Sequence, residues 1–133
     1  MVNCSMNALV KEWIQKAEGD YTTALREYRA RKSPNYDAAG FHAQQCIEKC
    51  LKALLQKHNK PFFKIHDLLM LMESCLYFIP ELELQKELLA FLNQFSVAYR
   101  YPGESANREQ AQKAVNAMKS IVQILQAHLE IKV

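Results

Sequence analysis

Between Asp37 and Lys57 the apolar residues Ala43, Cys46, Ile47, Cys50, Leu51 and Leu54 recur at steps of three and four. That spacing paints one stripe of an α-helix. The opposite face carries His42, Gln45, Glu48, Lys49 and Lys52. His42, Gln45 and Lys49 fall about a turn apart, so their side chains project the same way. The spacing predicts this helix from Asp37 to Lys57, with Asp37 as its cap.

The same periodicity predicts four more helices. The first spans about Met6 to Arg31, with Leu9, Val10, Trp13, Ala17, Tyr21, Ala24, Leu25 and Tyr28 along one face. Gly19 in its middle costs about 1 kcal/mol relative to Ala and suggests a close helix contact. Ser33-Pro34-Asn35 and Asn59-Lys60-Pro61 break the chain on either side of the second helix. A third helix is expected from Asp67 to Phe78, turning Leu68, Leu69, Met72, Cys75 and Leu76 inward. Pro80 suits the first turn of a fourth, which buries Leu84, Leu88, Leu92 and Phe95 and ends near Val97 to Tyr99. Pro102-Gly103 fits a type II turn. Asn107 and Gln110 then read as a reciprocal cap on the last helix. That helix runs to about Lys132 with Ala111, Ala114, Val115, Met118, Ile121, Val122, Leu125 and Leu129 inward. No segment alternates with period two for long. The expectation is an all-α up-down bundle of four to five helices, with the second and last central.

Composition narrows this reading. At 133 residues the chain is expected to be one domain over 1–133, without repeats or linkers. Three glycines and four prolines act as punctuation. A net charge of +3 neither demands nor excludes an anionic partner. The densest basic cluster, Arg26, Arg29, Arg31 and Lys32, is the favourable placement of cations at a helix C-terminus. No signal peptide is read at the N-terminus, and no apolar run nears the roughly twenty residues of a membrane span, so a cytoplasmic protein without membrane contact is expected. The four cysteines are then reduced thiols. A metal site on His42, Cys46 and Cys50 lacks a fourth ligand and a Cys-x-x-Cys pair, so no metal is expected.

Candidate chemistry gathers in two places. One is the polar face of the second helix. The other is Tyr99-Arg100-Tyr101-Pro102-Gly103, where two tyrosines flank an arginine just before a helix start. Arginine offers a fork for phosphate, tyrosine a stacking face, and a helix start free N–H groups. There is no nucleophile elbow, Walker loop or dinucleotide-binding glycine fingerprint. The two places are expected to converge on a cleft for a nucleotide or RNA phosphate built from His42, Gln45, Lys49, Tyr99, Arg100 and Tyr101.

The run Ala39-Gly40-Phe41-His42-Ala43-Gln44-Gln45, then Glu48-Lys49 and Leu51-Lys52-Ala53-Leu54-Leu55, with His66-Asp67-Leu68 and Arg100-Tyr101-Pro102-Gly103 downstream, resembles the HEPN domain family. The resemblance covers about Leu9 to Leu129. It implies a dimerising helical bundle. It also implies one of two roles: partner of a minimal nucleotidyltransferase in a toxin–antitoxin-like pair, or metal-independent ribonuclease. The family's nucleases carry Arg-x(4–6)-His, whereas here Ser105, Ala106 and Asn107 stand where the histidine would fall. Neither Ser nor Asn replaces His as an acid or base near neutrality. The expectation is therefore a nucleotide-binding module without catalytic residues or a cofactor, with ATP or ADP as candidate ligand. The alternatives are a ribonuclease toxin using Arg100 with His42 or His66, and a purely structural dimerisation partner.

Overall fold

The computed structural model describes residues 4–62 and 64–133, with side chains from Ala8 onward other than that of Arg100. Among the described residues five α-helices follow one another: α1 Cys4–Arg29, α2 Tyr36–Lys57, α3 Leu68–Cys75, α4 Lys86–Asn93 and α5 Arg108–Leu125. Tighter 3₁₀ turns fill Pro80–Gln85, Gln94–Ser96 and Ala98–Arg100. No strand occurs among the described residues.

α1 and α2 form an antiparallel hairpin, with Tyr28 beside Tyr36 near its turn and Asp20 against His42 and Lys49 further along. α5 lies on another side of α2 and runs the same way, from Asp37–Ala106 at one end to Lys57–His128 at the other. α4 carries the chain back between those ends. Ile47, Leu51, Leu54 and Leu55 of α2 are fully buried, as are Met118, Ile121 and Leu125 of α5, so these two stripes meet in the core.

Every residue predicted to face inward on α5 is buried. The reciprocal Asn107–Gln110 cap is present, each side chain bonding the other's backbone N–H at 2.8 Å. Gly103 has φ 99°, the left-handed value its turn requires. Gly40 is buried because Phe95 lies across it; an added Cβ would sit 2.0 Å from a ring carbon.

Several local expectations are corrected. α2 is capped by Asn35, whose side chain accepts the Ala38 N–H at 2.9 Å. Asp37 instead accepts the Ala106 N–H at 2.6 Å, tying α2 to the loop before α5. Gly19 is exposed, with nothing within 4 Å of where its Cβ would stand, so it marks no close contact. Leu84 points into solvent while Leu82 and Leu89 are buried. The 3₁₀ turn at Pro80–Gln85 has about three residues per turn, which shifts the apolar phase. On α1, Ile14 is buried and Leu9 is exposed. The last α-helix stops at Leu125, although Leu129 and Ile131 still pack on the core.

Candidate functional site

α1 presents one acid to α2 in an otherwise apolar seam. Asp20 lies in step with the buried Ala17 and Ala24 and is itself buried. Its Oδ1 receives His42 Nδ1 at 2.8 Å, and its Oδ2 receives the Lys49 ammonium. A buried carboxylate requires such partners. It also orients the His42 ring through Nδ1, and the ring stays part-exposed.

Glu48 forms a second hub one turn away. It receives Lys52 Nζ and His66 Nδ1, each at 3.0 Å, and Gln44 Nε2 at 3.1 Å. Gln45 donates to the Gln44 carbonyl oxygen at 2.7 Å, so its amide belongs to this chain of bonds. Glu48 and Lys52, read from the sequence as an outer face, are buried. Asp20 and Gln44 were not among the candidates. The available signal was a carboxylate standing within the apolar register of α1.

The loop before α5 is pinned at Tyr99. Its ring packs on Phe95 with centroids 4.8 Å apart, and its hydroxyl accepts Gln110 Nε2 at 3.1 Å. Tyr101 is 64% exposed. The Arg100 side chain lies outside the described residues. Ser105 is exposed and Ala106 is buried.

Among the described residues the two places do not meet within one chain. Phe95, which carries Tyr99, rests on Gly40. His42, two positions on, points about 200° around the helix toward α1. His42 and Lys49 meet through Asp20, and Tyr99 meets Gln110, but no hydrogen bond or ion pair among the described residues links the two groups. A broad hollow of about 850 Å³ lies between α1 and the C-terminal segment and is lined by none of the expected site residues.

The thiols belong to the core. A hydrogen bond with Cys50, together with burial, holds the Cys46 thiol well above its ordinary range. Burial pushes Cys75 up to about 12. Among the described residues no group of three or more His, Cys, Asp or Glu is placed to hold a metal, and no helix is long and apolar enough to cross a membrane.

The fold has solved counterparts. TT1696 from Thermus thermophilus superposes with TM-score 0.78 at 22% identity, covering 90% of this chain and 98% of that one. ST0689, an archaeal HEPN homologue, superposes with TM-score 0.70 at 24% identity, covering 89% and 95%. No curated protein matches the chain. The HEPN domain model matches residues 10–128, nearly the whole chain, and with the helical order above it places this protein in the HEPN domain family.

Proposed function

We propose that the protein is a nucleotide-binding module that partners a minimal nucleotidyltransferase in a two-component, toxin–antitoxin-like system and works as a two-fold homodimer. The observation that carries this is Tyr101, exposed beside Arg100 on a loop whose other tyrosine is anchored by Phe95 and Gln110. An open aromatic face next to an arginine on a pinned loop suits a base and its phosphate. Binding is favoured over cleavage by what fills the place of the family's ribonuclease histidine. Asn107 caps α5, and the Ala106 amide is held by Asp37. His42, Gln45 and Lys49 face another way, so they join this ligand only from the second subunit.

Titration calorimetry with ADP tests the reading. Arg100→Ala should weaken binding about tenfold or more with the melting temperature unchanged, and added salt should weaken the parent too. Equal binding by both proteins, or none by the parent, removes it.

The Asp20–His42 pair favours a second reading, a metal-independent ribonuclease. A carboxylate bonded to an imidazole nitrogen is an arrangement that orients a histidine for acid–base work. RNA cleavage that survives a chelator and is lost in His42→Ala would select this reading; intact RNA after long incubation with the parent would dismiss it.

A further inference from the structure

A second cleft lies at the far end of the α1–α2 seam, away from the Arg100 loop. It is an open hollow of about 520 Å³, a volume within the range of small-molecule sites. Trp13 of α1 and Phe62 of the loop after α2 form an edge-to-face pair on its wall, centroids 5.7 Å apart at 77°. Lys52, Lys60 and Lys64 also line it, and among the described residues no acidic one does.

The three lysines are not equivalent. Lys52 is nearly buried, salt-bridged to Glu48 at 3.0 Å, with its ammonium 5.6 Å from the Trp13 ring centroid. Its charge is already matched. Lys60 and Lys64 are exposed, and neither has an ion-pair partner among the described residues. Asn59 takes left-handed backbone, φ 57°, as the residue that closes a helix C-terminus often does, and Lys64 takes it at φ 47°. Lys60 N–H bonds Leu55 O at 2.8 Å and Ile65 N–H bonds Phe62 O at 3.2 Å. Glu12 lines a smaller neighbouring hollow of about 180 Å³ that also borders Trp13, and Lys16 stands there with it.

We propose that this cleft binds a nucleotide unit, with the base against the Trp13–Phe62 pair and the phosphate on Lys60 and Lys64. An aromatic wall contributes stacking whatever the base, and unpaired ammonium groups supply the matching charge. The source is a free nucleotide or a residue of single-stranded RNA. The proposal does not rest on the Arg100 site.

Trp13 is the sole tryptophan of the chain, so its fluorescence reports on the surroundings of this one ring, and the lysine variant assigns a change to this cleft. The probes are ADP, a short oligouridylate and inorganic phosphate. Saturable quenching by ADP identifies a free-nucleotide site; saturable quenching by the oligouridylate only identifies an RNA site. The double variant Lys60→Glu, Lys64→Glu should bind roughly tenfold more weakly or worse, while Arg100→Ala should quench like the parent. Both lysines are solvent-exposed, and circular dichroism checks that the variant is folded. No saturable change with ADP or RNA overturns the proposal. So does an undiminished response in the double variant, or an equal response to phosphate alone. Loss of one calorimetric ADP site in Arg100→Ala with quenching intact would separate this cleft from the loop site.

Discussion

Two glycines with opposite surroundings show how much a single methyl group decides. Gly40→Ala would drive its Cβ into the Phe95 ring, which is buried and cannot swing away, so it should cost about 1–3 kcal/mol in urea unfolding. Gly19→Ala meets nothing and sits mid-helix, so the same measurement should show a gain of about 0.5–1 kcal/mol. If both substitutions moved stability alike, the packing of Phe95 on α2 would be wrong. His58 carries the pH dependence that is legible at one residue. Its ring stacks on Phe78 with centroids 3.7 Å apart. Burial, then the charges of Lys57 and His128, hold its pKa below the ordinary 6.5. The unfolded chain therefore takes up a proton at His58 before the folded one does. Stability from this group is present above about pH 6.5 and is lost as pH falls through the folded value. Melting temperatures between about pH 7 and about pH 5 should fall less steeply in His58→Phe, which keeps the stack without the charge. Parallel curves for the two proteins would show that His58 plays no part.

Among the elements, the entry to α5 is held twice, by its own capping box and by Asp37 from α2. Asn107→Ala should cost about 1 kcal/mol. Asp37→Ala leaves the Ala106 N–H without its partner and should cost about 1–3 kcal/mol, with chemical-shift changes concentrated in the Tyr99–Asn107 loop. Shifts confined to the first turn of α2 would instead mean that Asp37 acts only locally. α2 and α5 were legible because long stripes average over local noise. α4 was legible through Leu92 and Phe95 but its start was misplaced, because the 3₁₀ turn before it resets the phase and sends Leu84 outward. The Asn35 cap was missed because Asp37, two residues on, was an equally good capping type.

For the whole molecule, the polar residues of α2 stand out in the sequence but the acid they pair with does not. Asp20 precedes His42 by 22 positions and Lys49 by 29, and only the hairpin of α1 on α2 joins them. Nothing in local spacing reports a partner so distant. The separation of the α2 face from the Tyr99 loop follows from the same geometry, and it makes assembly the decisive question. A ligand shared between two subunits must tighten their association by mass action. Sedimentation equilibrium should therefore show a dimer that strengthens with ADP, and Arg100→Ala should remove the increment. A monomer at micromolar concentration, with or without ADP, would sink both the dimer and the shared site.

The bond from Asp37 to the Ala106 amide joins residues 69 positions apart. Closing a loop of that length has an entropic cost that must be met before the bond forms. The α1–α2 hairpin needs no such closure and can form from neighbours in sequence. The contact that seats the tyrosine loop is therefore expected to form after the hairpin. A chain stalled short of that step would hold its Asp20–His42–Lys49 cluster complete while its loop was still open.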